Sequence, residues 1–338
     1  MEEQNLDELT NRAQPIVIQQ SSRQGLWILL AVVTGFSLPA LACVIGTIVL
    51  FAAVGFDDSG SVGSGSGPAV AIVRVEGVIV GTDDTNYLNG AGSGTVIADL
   101  KAAEADDEIK AIVLRVDSPG GTVTGSAQIH ETIRDEITKP IVVSMASVAA
   151  SGGYYISAPA DYIFARADTT TGSLGVIMSI FNVSGLLDEW GVDVINVTSG
   201  PNKALGSPYD AISPEHLEIL ETLIEESYGE FVQIIVDGRG LEDGVVRQLA
   251  DGRIYSGRQA VANGLVDELG NFADAIAYAA DLGGITGEPR IFEFERSPDY
   301  TDLLTTFSQL QNRTAADEVR VALEEYGLPK LEYRYIGQ

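Results

Sequence analysis

Ser144-Met-Ala-Ser-Val-Ala-Ala-Ser151-Gly-Gly-Tyr-Tyr-Ile-Ser157 is the stretch on which the reading of this chain turns. An apolar run, Pro140 to Met145, leads into a patch of small residues, then Ser-Gly-Gly and a helix-compatible segment. Such a pattern presents a serine at a strand-to-helix junction, with the backbone N–H groups behind it free to receive an anion. The sequence has two histidines, His130 and His216, both in ordinary helical settings. A Ser-His-Asp triad therefore fits poorly, and a nucleophilic serine here would more naturally take a lysine as its base.

Composition narrows the partners. Asp plus Glu number 48 against 20 Lys plus Arg in 338 residues, a net charge of −28. So acidic a surface argues against nucleic acid and against electrostatic docking on anionic lipid. It suits solubility in high salt, where self-repulsion is screened. The single cysteine, Cys43, permits no disulfide within the chain and no cysteine-based metal site. Neither a metal nor another cofactor is expected. The length suffices for a short anchor and one domain with a sizeable core.

Leu26 to Phe56 contains no charged residue, and about 20 apolar residues cross a bilayer, so residues 26–56 read as one transmembrane helix. Trp27 and Phe56 sit near its ends, where interfacial aromatics belong. Arg12 and Arg23 precede it, whereas Asp57-Asp58 follow and the next cation is Arg74. That asymmetry places residues 1–25 in the cytoplasm and the rest of the chain outside the cell membrane. A re-entrant pair of short helices around Pro39 would instead turn the following domain to the cytoplasm. A lipidated Cys43 fits less well, because the apolar run continues past it.

Residues 57–68 form a flexible Gly/Ser linker. Beyond it, strands are expected at Ala69–Val80, Ala111–Val116, Pro140–Met145, Asp161–Ala165, Val176–Ile180 and Val192–Val197. Helices are expected at Thr95–Ala105, Val123–Ile137, Leu186–Trp190, Pro214–Val236, Glu242–Ala250, Gly257–Asn263 and Ala273–Leu282. The alternation means an α/β architecture with much parallel sheet over residues 69–290. Residues 291–338 make a C-terminal extension in which Thr301–Leu310 and Ala315–Tyr326 pattern as short amphipathic helices. Glycosylation triplets at Asn182, Asn196 and Asn312 are compatible with an external domain but arise often by chance.

Four pieces converge on one chemistry. Ser151 is flanked by Ala149, Ala150, Gly152 and Gly153, which let a peptide backbone approach closely. Asp117-Ser-Pro-Gly-Gly121 follows a strand, and two consecutive glycines can turn N–H groups toward one point, as an oxyanion hole requires. Lys203 is the only lysine between Lys139 and Lys330, in Thr198-Ser-Gly-Pro-Asn-Lys-Ala-Leu-Gly-Ser-Pro208. A general base must be neutral, which for an amine calls for burial among apolar groups. Thr171-Gly-Ser173-Leu-Gly offers a second hydroxyl to hold that amine. Taken singly these are a helix cap, a turn and a solvated lysine; their joint occurrence in order favours catalysis. Arg253, Tyr255 and Asp267 have no obvious catalytic chemistry and are read as structural.

Asp-Ser-Pro-Gly-Gly, Ala-Ala-Ser-Gly-Gly-Tyr-Tyr-Ile-Ser, Thr-Gly-Ser-Leu-Gly-Val-Ile, the lysine of Ser-Gly-x-x-Lys and Ala250-Asp-Gly-Arg-Ile-Tyr-Ser-Gly run in that order. The last continues as Arg-Gln-Ala-x-x-x-Gly-Leu-Val-Asp-Glu-Leu-Gly270. In this the chain resembles the signal peptide peptidase A (protease IV) family, in its single-copy, half-length form, over about residues 69–285. The resemblance implies a Clp/crotonase-like fold of repeated β-β-α units. It implies Ser151 as nucleophile, Lys203 as general base and Ser173 as the group that orients the lysine. Backbone N–H groups of Gly120 or Gly121, with Gly152, would form the oxyanion hole. It further implies a homo-oligomeric ring, eight subunits in the half-length form, and apolar substrates such as cleaved signal peptides. In such rings the serine and lysine of one site can come from neighbouring subunits.

The expected reaction is peptide hydrolysis through an acyl-enzyme. Two other readings stay open. An acyl-CoA hydratase or isomerase of the same broad fold would want basic contacts to nucleotide phosphates, which this chain hardly supplies. A non-catalytic membrane scaffold would lose nothing in Ser151→Ala.

Overall fold

Ala69–Glu76 is apolar almost throughout, and all but its sixth and last residues are buried. Strands of that kind belong to parallel sheets covered on both faces. The computed structural model describes residues 67–83, 90–294 and 331–335, all within the unit Gly60–Gln338. The expected cytoplasmic tail, the transmembrane helix 26–56, Cys43, most of the linker, the triplet at Asn312 and the two tail helices lie outside these residues. Among the described residues no helix is long and apolar enough to cross a membrane.

The chain opens with β1 (Ala69–Glu76), β2 (Ile79–Val80), β3 (Ala91–Gly92) and α1 (Ser93–Ala105), then β4 (Ile109–Ser118), β5 (Gly120–Thr122) and α2 (Val123–Glu136). Next come β6 (Ile141–Ala150), α3 (Gly152–Tyr155), β7 (Tyr162–Ala165), β8 (Thr170–Gly172), β9 (Ile177–Met178) and α4 (Ser184–Trp190). The long α5 (Pro214–Arg239) leads to α6 (Asp243–Leu249), β10 (Ile254–Ser256), α7 (Gly257–Ala262), β11 (Glu268–Leu269) and α8 (Phe272–Leu282). Strands β12 (Arg290–Glu293) and β13 (Leu331–Arg334) complete the described elements.

The main sheet runs β10-β8-β6-β4-β1-β12, with β7 also beside β6 and β11 beside β7. Every pairing in it is parallel except β10 with β8. Side chains alternate across it. Ala69, Ala71, Val73 and Val75 pack with α1, α2 and α5, whereas Val70 and Ile72 pack with Ala275, Ala279 and Ala280 of α8. A second, five-stranded sheet, β3-β2-β5-β13-β9, sits over the ends of β4 and β6.

Local signals set the helix ends. The Ser213 hydroxyl accepts from His216 N at 3.1 Å, Pro214 opens α5 and Gly240 closes it at φ 63°. Reciprocal capping boxes begin α7 and α8. The expected α/β class and helices hold to within a few residues. Two strand expectations need correction. The single run Ala69–Val80 breaks at Gly77, φ 79°, into two strands in different sheets. Val192–Val197 forms no strand: among the described residues no ladder includes it, Val192 N donates only back to Leu187 O at 3.0 Å, and Val192, Val194, Ile195 and Val197 are 40% exposed or more.

Candidate active site

Strand β6 continues through the small residues to Ala150, because β8 pairs alongside it, Val148 with Thr170 through Ala150 with Gly172. Ser151 follows as the residue before α3. Its N–H donates to Gly172 O at 2.7 Å and its carbonyl accepts from Tyr155 N at 2.9 Å. These bonds hold it at φ 52°, ψ −114°, a conformation that costs a side-chain-bearing residue on the order of 1–3 kcal/mol. Among the described residues only Ser151 and Ser173 have positive φ without being glycine. The β6–β8 ladder ends with Ala150 paired to Gly172, and these two serines are the residues that follow that last pair. Ser151 is 1% exposed, and among the described residues its hydroxyl has no hydrogen-bond partner. A buried, unpaired, strained hydroxyl is what a nucleophile awaiting its base looks like.

The glycine pair is pinned from both sides. Gly120, at φ 92°, donates its N–H to the Ser118 hydroxyl at 3.1 Å, so that N–H is turned back into its own turn. Gly121 lies in the ladder, opposite Ile79 of β2 and Tyr333 of β13. Side chains are excluded here: a methyl group at Gly120 would overlap the Tyr333 carbonyl oxygen, and at Gly152 it would lie 2.5 Å from Ser126 Oγ and 3.0 Å from that same oxygen. Gly120 and Gly152 therefore flank one point, where the Tyr333 carbonyl already lies, while a side chain at Gly121 would run into the Ile79 backbone. The Gly152 N–H opens α3 and has no use in that helix's own ladder.

Ser173 donates its N–H to Arg253 O at 2.7 Å, and among the described residues its side chain makes no hydrogen bond. Tyr255 donates to Leu249 O at 2.9 Å, and Asp267 accepts from Ile163 N at 2.8 Å and from Arg239 at 2.5 Å. The segment read as structural thus braces Ser173 and the end of the sheet.

Lys203 is placed differently. It lies exposed in a turn, its N–H donating to Gly200 O at 3.2 Å. Lys101, Lys110 and Lys139 all engage a carboxylate or backbone carbonyl through their amines, whereas Lys203 has no side-chain partner among the described residues. Within one protomer the structure brings Ser151, Ser173 and the glycines together, and it does not bring Lys203 to them. Residues 181–212 form an arm whose hydrogen bonds close on itself, such as Val183 N to Pro208 O at 2.8 Å and Asn196 to Asp210 at 2.7 Å. The arm leaves Phe181, Trp190, Ile195 and Val197 from 64% to 94% exposed.

Sequence reading missed three participants. Ser126, on α2, is fully buried beside Gly152, its hydroxyl without a partner among the described residues. Tyr155 and Tyr333 stack over the site with ring centroids 4.7 Å apart. Burial pushes the Tyr155 phenol up to about 12 and raises that of Tyr333 as well, so both stay neutral donors. His130 stands edge-on to Tyr155 at 5.3 Å, and burial, with Arg134 adding to it, holds its imidazole down to about 4. The glycine spacing after Ser118 pointed to the cleft, but no local signal pointed to a strand from the far C-terminal region. Among the described residues no three His, Cys, Asp or Glu side chains converge as metal ligands.

Comparison with known proteins agrees with this geometry. A family model described as Peptidase family S49 matches residues 133–286, and one described as Clp protease matches residues 85–169. The second accords with the mixed α/β, Clp/crotonase-like architecture. A protein of Enterococcus faecium provisionally named signal peptide peptidase SppA is 39% identical over 215 residues, 62% of each chain. Protease 4 of Salmonella typhi is 39% identical over 223 residues, 64% of this chain and 35% of that one. A protein of Synechocystis, provisionally named a protease, is 40% identical over 232 residues, 67% of this chain and 83% of that one. The chain thus spans under two thirds of the first two relatives and most of the third.

Proposed function

The chain belongs to peptidase family S49, a family of serine peptidases, and on that premise we propose that it hydrolyses peptide bonds with a Ser151–Lys203 dyad. The observation that carries the reading is Ser151 itself: buried, strained, its hydroxyl without a partner among the described residues, and beside two glycines, Gly120 and Gly152, that flank a peptide carbonyl. The neutral Lys203 amine takes the Ser151 proton as Oγ attacks the substrate carbonyl. N–H groups of Gly121 and Gly152 receive the oxyanion, since that of Gly120 is engaged with Ser118. The lysine returns the proton to the departing amine, and water then releases the acyl group by the same route. Ser173, next to Ser151 and with its hydroxyl unused, holds the lysine.

The dyad is completed between protomers. An exposed lysine on an exposed apolar arm cannot serve a buried serine alone, and a second copy packed on Phe181, Trp190, Ile195 and Val197 would bury both arm and amine. Such burial favours the neutral amine that a general base needs. Repetition of this head-to-tail contact closes a ring, consistent with an octamer. Residues 26–56, uncharged throughout, anchor the assembly in the membrane with the catalytic domain on the outer side. Apolar peptides such as spent signal peptides would lie within reach there, and the E. faecium relative's name points the same way.

A serine-reactive phosphonate applied to the assembled protein tests the proposal: it should label Ser151, and labelling should vanish in Lys203→Ala. Failure to label Ser151 in a confirmed oligomer would sink the reading. The hydratase alternative would want a carboxylate at the glycines, whereas the atoms nearest them belong to Tyr333, Ile79, Ser126 and the glycines themselves. The scaffold alternative leaves the strained, unpaired serine without a purpose.

A further inference from the structure

Three buried side-chain atoms lack a hydrogen-bond partner among the described residues, and two of them are hydroxyls, Ser126 Oγ and Ser151 Oγ. Both border one residue, Gly152. Ser151 precedes it in the chain, and Ser126 Oγ lies 2.5 Å from where a methyl group on Gly152 would sit. The Tyr333 carbonyl oxygen lies 3.0 Å from that same point, yet Ser126 makes no bond to it. Catalysis by the dyad uses Ser151 and gives Ser126 nothing to do.

An idle hydroxyl is unusual inside a helix, where serine and threonine commonly bond the carbonyl four residues back. Thr132, on the same helix α2, donates to Gln128 O at 3.0 Å, and Ser157 donates to Gly153 O at 2.6 Å. Ser126 is 0% exposed and makes no such bond, an arrangement that disfavours the fold. Helical side chains lean toward their own N-terminus. For α2 that end is Thr122, directly after Gly120 and Gly121. The hydroxyl is thus held between the glycine turn and the start of α3, where the oxyanion forms. The backbone there is short of donors, because the Gly120 N–H is committed to Ser118 Oγ at 3.1 Å.

We infer that the Ser126 hydroxyl is a further donor of the oxyanion hole, beside the N–H groups of Gly121 and Gly152. The inference rests on the peptidase reading. As Ser151 Oγ bonds to the substrate carbonyl carbon, the π pair moves onto the carbonyl oxygen and the Ser151 proton goes to Lys203. Ser126 donates a hydrogen bond to that oxygen and keeps its own proton. When the pair returns, the C–N bond breaks and the amine departs with the proton from Lys203. A donor that leaves a neutral carbonyl unbonded and meets the charged oxygen stabilises the transition state more than the bound substrate. Ser126 therefore acts on kcat and not on KM.

The test reads rate and stability together on the full-length, assembled protein. A fluorophosphonate sets its phosphoryl oxygen where the oxyanion forms, so the rate of Ser151 labelling reports on the hole. Ser126→Ala should slow labelling about 10²-fold or more. On a fluorescence-quenched peptide of alanine and leucine, kcat should fall by a similar factor while KM stays within about twofold. The unfolding midpoint should hold or rise by up to about 4 °C, because an unpaired buried hydroxyl is removed. Ser126→Cys, close in shape but a weaker donor, should lie between the two in rate, and it carries the test if Ser126→Ala does not assemble. Unchanged labelling and kcat, or a loss confined to KM, overturns the inference. A loss of rate with a matching fall in the midpoint overturns it too, since a packing residue would give that. If the unaltered protein neither labels at Ser151 nor cleaves, the peptidase reading fails and takes the inference with it. An active unaltered protein with an equally active Ser126→Ala removes the inference alone.

Discussion

The serine corner and the lysine arm differ in almost every physical respect. Around Ser151 the backbone is bonded on both sides, glycines admit close approach, and strain is held by the surrounding sheet. Around Lys203 the arm, among the described residues, bonds to itself and exposes Trp190 at 70% and Val197 at 94%. One region is finished within the protomer, and the other has the surface of an unformed interface. The contrast is what the proposed dyad between protomers calls for, with each protomer offering its serine to one neighbour and its lysine to another.

The sharpest way to break that comparison is to put the halves on different protomers. Ser151→Ala and Lys203→Ala should each abolish peptide cleavage, the first by a factor of about 10⁴ or more and the second by about 10²–10⁴. Co-assembled at equal amounts, the two dead variants should recover about a quarter of the sites, since a serine and a lysine meet across one interface in that share of random pairs. Complete inactivity of a verified mixed oligomer would show that the dyad closes within one chain. Next in size is the arm. Val197→Asp should shift the assembly to small species in sedimentation and lower cleavage with it, while the unfolding midpoint of the protomer stays put, because that side chain touches nothing to lose.

Stability provides two smaller tests on the serine side. His130 is held neutral by burial, with Arg134 disfavouring and Asp135 and Asp237 favouring its charge. Its folded value of about 4 lies below its unfolded 6.5, so the unfolded chain binds the extra proton between them. Stability should therefore be full above pH 6.5 and decline as pH falls toward 4, with a slope contribution of up to about 1.4 kcal/mol per unit. Denaturant titrations of His130→Phe should lack that contribution; an unchanged slope would contradict it. Smallest is Ser173→Gly. Relief of positive φ should raise stability by about 1 kcal/mol, offset in part by backbone entropy, while activity falls. A drop in stability would mean that Ser173 is not strained as its backbone implies.

How much of this was legible beforehand follows from the range of each signal. Ser151, Gly120, Gly121, Gly152 and Ser173 could be singled out because a glycine pair, a small-residue junction and an ordered set of motifs lie within a few residues of each. The helix at Pro214 announced itself through the Ser213-Pro-Glu start. Val192–Val197 misled, because alternating valines promise a strand that exists only if another backbone accepts its hydrogen bonds. Ser126 and Tyr333 carried no local mark of a site.

The sequence by itself determined the α/β core, the junction at Ser151 and the turn at Gly120, since apolar runs, caps and glycine conformations act through near neighbours. Only the tertiary structure decided that Ser173 stands beside Ser151, that Lys203 stands apart, and that Tyr333 fills the cleft. Those are matters of which strand edges pair. Strands of two to four residues such as β8, β9 and β13 have too little periodicity to declare a partner, and long-range hydrogen bonding makes the choice.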